Sequence, residues 1–396
     1  MPLIGGELPV RLIAWDGSVA GDESAPVVRL RSPKALRRMA WRPSELGAAQ
    51  AYVSGDIDVD GDLGAALSHV WSQIGERRLG PVKPSPAVLG RLFVAAARLG
   101  AFGAPLPPPA TQARMRGRLH SLSRDRAAIS HHYDTSNDFY RLILDPSMAY
   151  SCAHWESPQA NSTLAQAQSE KLDRICQKIG LQERPGMRLL DVGCGWGSLS
   201  LHAAVHYGAQ VVGLTLSREQ KSYIDTARIE RGLNDRVEIR VQDYRALTDG
   251  PFDVVASIEM GEHVGESNYP TYASTLYKSV RPGGRVLVQQ MSRRGNHPGG
   301  GPFIESFIAP DMHMRPVGQT VALLEESGLR LLAVEAMREH YVRTADAWIA
   351  NLEKRWDAAV DLIGEEAARV WRLYLAGGRL AFEQGRMGVD QILLAR

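Results

Sequence analysis

From about residue 165, apolar and polar positions switch regularly between a helical period and short strand-length runs. Residues 163–179 carry apolar positions at helical spacing, and MRLLDVG (187–193) follows as a strand. A glycine turn and a helix come next, then the run AQVVGLTLS, a helix opening near Ser217, and RVEIRVQDY. FDVVASIEM and GRVLVQQMS supply two more strands, with helix-like segments between them. Such alternation predicts an α/β domain, a doubly wound and mostly parallel sheet with crossover helices. Helical segments are also expected at 303–325 and 344–385.

The N-terminal part has a different texture. Short runs at 10–15 and 27–30 predict strands among helical stretches, and GDIDVDGDL at 55–63 predicts a solvated acidic turn. The turn is not an EF-hand: counted from Asp56, position six is Gly61, but position twelve is Leu67, which has no oxygen for a metal. Residues 86–104 place Leu89, Leu92, Phe93, Ala96 and Leu99 on one helical face, with Arg91 and Arg98 as the only charges. That pattern fits a core helix or one lying in a lipid interface. GAPLPPPA (103–110) reads as a stiff linker. Arg114, Arg116, Arg118, Arg124 and Arg126 then face only Asp125, either as a solvated surface or as a grip on anionic headgroups.

Composition narrows the class. The 396 residues suit two domains, and 44% hydrophobic with 23% charged residues is a globular balance. Lysine and arginine total 46 against 44 acids, so nothing pulls the chain toward nucleic acid. Cys152, Cys176 and Cys194 form no CxxC pair, which leaves no disulfide scaffold and no expected metal site. No run reaches eighteen apolar residues, and the N-terminus lacks a signal pattern, so an intracellular chain is expected, at most attached to a membrane surface.

The chemistry starts at LLDVGCGWGSLS (189–200), an apolar strand carrying Asp191, then Gly193, Gly195 and Gly197 at a helix start. Glycines let a ligand approach the backbone beyond the carboxyl ends of the strands. A dinucleotide fingerprint reads GxGxxG, whereas this loop reads GCGWGS. Asp191 suits a ligand with a cationic amino-acid end better than a pyrophosphate. The loop resembles motif I of S-adenosylmethionine-dependent methyltransferases with a Rossmann-like class I fold. That likeness puts Gln242 and Asp243 of VQDY at the adenine. It leaves the ribose to Thr215 and Gln220, because GLTLSREQ lacks the acid usual there.

Three further motifs, HHYDTSNDFYRLILDPSMAYSCAHWE (131–156), LTLSREQ (214–220) and IEMGEHVG (258–265), resemble the cyclopropane-fatty-acyl-phospholipid synthase family. Actinobacterial methylene- and methyl-branched fatty acid synthases are included in it. The resemblance runs from about 125 to the C-terminus, and GDIDVDGDLGAAL echoes the family's N-terminal domain. It implies methyl transfer to a cis double bond of a phospholipid acyl chain through a carbocation. Proton loss then gives a cyclopropane or a 10-methylene chain. In the family a bound bicarbonate takes that proton, and the matching residues here are Cys152, Glu262 and Tyr341. Gln289 stands where the family has a histidine; it can donate a hydrogen bond but cannot titrate. The wording IAPDMHMRP (308–316) leans slightly toward the methylene product. Tyr150 and Ser151 are expected at the cofactor, and Tyr133, Phe139, Tyr140 and Trp155 either in the core or facing the cation.

The expected division is a smaller, mainly helical, lipid-engaging domain at 1–125 and a methyltransferase domain at 126–396. Expected partners are an unsaturated phospholipid, a membrane surface at its inner, cytoplasmic face, a second copy of the chain and a downstream reductase. Two alternatives stand beside this: a small-molecule N- or O-methyltransferase, and a non-catalytic lipid-binding homologue.

Overall fold

The computed structural model describes residues 8–76, 94, 100–101, 103–113, 124, 136–156, 162–295 and 299–396. The chain divides into two compact units, one of residues 1–112 with 363–380, the other of 113–362 with 381–396. The division thus falls at 112, and a stretch distant in sequence joins the N-terminal unit. Most of the expected apolar helix at 86–104, Arg114, Arg116, Arg118 and Arg126, and the pair His131 and His132 with Tyr133 lie outside the described residues. Among the described residues no helix is long and apolar enough to cross a membrane.

The first unit contains a four-stranded sheet as well as helices. Strands β1 (Arg11–Ala14), β2 (Val19–Ala20), β3 (Val27–Leu30) and β4 (Ile57–Val59) run in the order β2-β1-β3-β4. Helices α1 (Pro33–Trp41), α2 (Glu45–Val53) and α3 (Leu63–Glu76) accompany it. Leu30, Ala35, Ala51 and Ile57 form its small core. Within the acidic segment expected as a solvated turn, residues 57–59 form β4 between turns, and the carboxylates of Asp56, Asp58 and Asp60 are paired. Asp56 is buried and bonds Arg38 at 3.1 Å and the Ser32 hydroxyl at 2.7 Å; Asp60 is held by Arg29 at 2.6 Å. Arg369 approaches Asp58 at 3.6 Å and lies over the Tyr52 ring. Arginines distant in sequence, which no local pattern reveals, turn an apparent surface run into structure.

The second unit is the expected α/β domain. Helix α4 (Asn137–Ile143) precedes α5 (Leu164–Ile179), whose start is fixed by a capping box of Thr163 and Gln166 and whose end is left-handed Gly180. Then come β5 (Arg188–Val192), α6 (Ser198–Tyr207), β6 (Gln210–Thr215), α7 (Arg218–Glu230), β7 (Val237–Val241), β8 (Phe252–Ile258), α8 (Tyr269–Ser279) and β9 (Val280–Arg293). Helices α9 (Pro302–Phe307) and α10 (Val317–Glu326) occupy part of the stretch expected as one helical segment, with irregular chain between them. The unit closes with β10 (Arg330–Ala336), α11 (Arg338–Lys354) and β11 (Met387–Ala395); between the last two lies α12 (Trp356–Glu383, interrupted at Gly364), whose residues 363–380 belong to the first unit.

The seven strands run β10-β11-β9-β8-β5-β6-β7. Pairs among β5 to β9 are parallel, while β11 runs antiparallel to both β9 and β10. The pattern reading missed β10 and β11. The first is a half-exposed edge strand, and the second carries Asp390 and Gln391 inside its buried run. Strand order reverses at β5, with β6 on one side and β8 on the other, so a ligand crevice opens past the ends of β5 and β8.

Candidate active site

The loop after β5 is held by main-chain bonds from Gly193 and Cys194 to the Leu214 carbonyl, at 3.0 and 2.9 Å. Gly193 has φ +79°, and a Cβ there would stand 2.7 Å from the Met260 side chain. The turn therefore requires glycine. Beside it lies a cleft of about 750 Å³, its open mouth included, whose walls include Gly193, Gly195, Thr215, Gln220, Gln242 and Asp243. Thr215 and Gln220 are buried and bonded to each other at 2.6 Å. Gln242 donates to the Ala246 carbonyl at 2.8 Å, and Asp243 is tied to the Arg245 guanidinium. Close backbone approach, a cleft of this size and a polar edge fit S-adenosylmethionine. Asp191 is not part of that lining; it is buried and accepts the Ser200 hydroxyl at 2.7 Å. Burial pushes its carboxyl up to about 6, against the pull of Ser200 and then Lys171.

Tyr150 and Ser151 also stand outside that lining. Ser151 accepts the buried Lys171 ammonium at 2.7 Å. Burial lowers the Lys171 pKa, and the charges of Glu259, Asp145, Cys152 and Asp191 oppose that. Cys176 and Cys194 are buried in the core beside β5 and β6.

The centre of the site is a carboxylate that the motif reading passed over. Glu259 follows β8 with φ +50° and lines the cofactor cleft. Its Oε1 accepts the Cys152 peptide N–H at 2.8 Å and Gln289 Nε2 at 2.7 Å, and its Oε2 accepts the Tyr341 hydroxyl at 2.8 Å. Cys152, Gln289 and Tyr341 thus meet, and they meet on Glu259. Glu262, three residues on, is fully buried, and its two carboxyl oxygens have no hydrogen-bond partner among the described residues. Burial, and after it the charge of Glu259, pushes the Glu262 carboxyl well up. Burial raises Glu259 as well, but its hydrogen bonds and Lys171 act against that.

Neighbours fix each partner. The Cys152 thiol meets the carbonyls of Ala153 and Met337 and the Thr344 hydroxyl, and burial, then Glu259's charge, raises its pKa well above the ordinary value. Gln289 Oε1 accepts from Gln391 Nε2 at 2.9 Å, and Gln391 Oε1 in turn accepts the Lys178 ammonium. An ammonium only donates, so Lys178 dictates which way both amides face and turns Gln289 Nε2 toward Glu259. Thr344 on α11 accepts from the Ala153 N–H at 3.1 Å and Trp155 Nε1 at 3.2 Å, pinning the 150–155 loop. Rings run without a break from α4 to α12: Tyr140–Tyr150 at 5.6 Å, Tyr150–Trp348 at 5.3 Å, Trp348–Tyr341 at 6.0 Å and Tyr341–Phe382 at 4.2 Å.

A bound bicarbonate does not fit this site. Of the residues matched to the ion, Tyr341 gives its hydroxyl to Glu259, and Cys152 meets Glu259 through its peptide N–H rather than its thiol. Gln289, at the histidine position, also donates to Glu259, so a second anion would crowd that carboxylate. Spacing could not have found it, because Glu259 and Glu262 sit in one short motif and only the backbone turn decides which side chain enters the site.

Residues 120–392 match the family model described as mycolic acid cyclopropane synthetase. A probable fatty acid methyltransferase of Mycobacterium tuberculosis is 38% identical over 99% of this chain and 92% of its own length. The cyclopropane-fatty-acyl-phospholipid synthase of Escherichia coli K12 is 35% identical over 97% of this chain and 90% of its own. Among solved structures, a mycolic acid cyclopropane synthase in complex with S-adenosylhomocysteine and CTAB superposes with a TM-score of 0.64. It is 31% identical over 68% of this chain and 98% of that one.

Proposed function

The chain belongs to the mycolic acid cyclopropane synthetase family of S-adenosylmethionine-dependent methyltransferases, and from that premise we propose that it methylates the cis double bond of unsaturated phospholipid acyl chains. The observation that carries this is Glu259, a carboxylate in the wall of the cofactor cleft that accepts the hydroxyl of Tyr341, itself one of a run of packed aromatic rings. An alkene is a weak nucleophile, and its attack leaves a carbocation on the chain. Such a site must exclude water, tolerate a cation and take one proton.

When bound, S-adenosylmethionine supplies the electrophilic methyl group. The glycine loop, Thr215 and Gln220 position it, and any aromatic face the acyl chain meets would stabilise a passing cation by about 0.5–2 kcal/mol. Closure of the transferred carbon onto the chain gives a cyclopropane. A hydride shift before proton loss gives the methylene chain instead. The E. coli relative's name, with its phospholipid acceptor, supports the acceptor class. A peripheral position at the cytoplasmic face of the membrane, an N-terminal part that engages lipid, a homodimer, and a reductase consuming any methylene product belong to the same proposal.

The test incubates the protein with methyl-labelled S-adenosylmethionine and oleoyl phospholipid vesicles, and analyses the released fatty acids by mass spectrometry and proton NMR. Upfield cyclopropyl protons or vinylidene protons are the expected result, and each names the product. Label confined to a water-soluble acceptor overturns the proposal in favour of a small-molecule methyltransferase. Cofactor binding with no transfer at all overturns it in favour of a non-catalytic homologue.

A further inference from the structure

We propose that Glu259 is this enzyme's own catalytic base, occupying the position of an exogenous anion and making turnover independent of bicarbonate. The inference rests on the acyl-chain reading above and deepens it. Glu259 gathers the Cys152 N–H, Gln289 Nε2 and the Tyr341 hydroxyl on one carboxylate, and it lines the cofactor cleft. Oε1 takes two of those donors and Oε2 takes one, so Oε2 keeps the spare lone pair. A hydroxyl can accept as well as donate, so Tyr341 can turn to accept once Oε2 is protonated.

The step balances within the site. The alkene π pair forms the new bond to the methyl carbon, and the sulfur–carbon bond breaks with its pair left on sulfur. A C–H bond of the added carbon then breaks. Its electron pair closes the three-membered ring, or forms the exocyclic double bond if a hydride has shifted first. In both cases the proton goes to Glu259 Oε2 and leaves to solvent when product is released. Lys171 lies close enough to favour the carboxylate form between turnovers.

The backbone at Glu259 provides a well-behaved test variant. Its φ of +50° lies in the left-handed region that favours glycine, so Glu259→Gly removes the carboxylate while relieving the backbone. Methyl transfer to oleoyl phospholipid vesicles would be measured in CO2-free buffer, with and without added bicarbonate. The wild-type rate should be the same in both. Glu259→Gly should lose about 10²–10⁴-fold without bicarbonate and recover much of it on addition, because the three donors are then free. Glu259→Gln fills the same space with an amide, so it should lose activity without rescue.

Binding of ¹³C-bicarbonate, followed by NMR line broadening, reads the same site without turnover. Glu259→Gly should bind the ion and the wild type should not. A wild type that needs bicarbonate, or a Glu259→Gly enzyme at full rate without it, overturns the inference. A wild type that excludes bicarbonate yet leaves lipid unlabelled overturns the acceptor reading, and keeps the carboxylate's occupancy of the anion position.

Discussion

Replacing Gln289 by leucine would remove one donor from Glu259 at nearly constant volume. The lost bond is 2.7 Å long and charge-assisted, a class that contributes about 1.5–3 kcal/mol. One pKa unit corresponds to 1.36 kcal/mol, so the Glu259 pKa should rise by about 1–2 units. The direction follows from which form is served: Gln289 Nε2 bonds the carboxylate, so its loss disfavours ionisation. Lys171 and Tyr341 still favour the charged form. The acid limb of kcat/KM, measured with labelled methyl donor and oleoyl vesicles, should move to higher pH by about 1–2 units. Above that limb the variant should approach the wild-type rate, because its base is present and stronger. Stability moves separately. Gln391 Nε2 loses its acceptor in a buried setting, an orphan costing about 1–3 kcal/mol, and adding Gln391→Leu should return part of that. An acid limb that stays in place while the melting temperature falls would refute the base assignment and leave Gln289 a packing residue.

Two further outcomes are expected. Cys152 serves the site through its peptide N–H, while its thiol points to the Ala153 and Met337 carbonyls and Thr344 rather than to Glu259, so Cys152→Ala should keep kcat within a few-fold, and a loss beyond about tenfold would contradict this. Asp191 has a folded-state pKa of about 6 against 3.8 for the free side chain, so its ionised form costs the cofactor-free protein about 3 kcal/mol above pH 6 and nothing once both states are protonated. Asp191→Asn should therefore raise the melting temperature at neutral pH, with the gain fading as pH falls toward about 4. An equal gain at both pH values would show that the carboxyl's charge is not the cause.

The parallel strands and the cofactor turn were legible in the sequence because their causes are local. Strands buried on both faces must be apolar runs, and a left-handed turn against Met260 must be glycine, so LLDVGCG, VVGLT and FDVVASI identify themselves. The same holds for the start of α5, where the Thr163 cap lies within reach of its own helix. What the sequence alone could not show depends on groups far apart in the chain. Strand β11 carries a buried aspartate and glutamine that only Ser292, Gln289 and Lys178 make tolerable. The acidic β4 segment reads as surface until Arg38 and Arg369 are seen beside it. The choice between Glu259 and Glu262 is the sharpest case, since both are glutamates of one motif. Only the tertiary structure turns the first toward donors from the 150–155 loop, β9 and α11, and buries the second without a partner, because a carboxylate's charge is decided by what surrounds it rather than by its place in the chain.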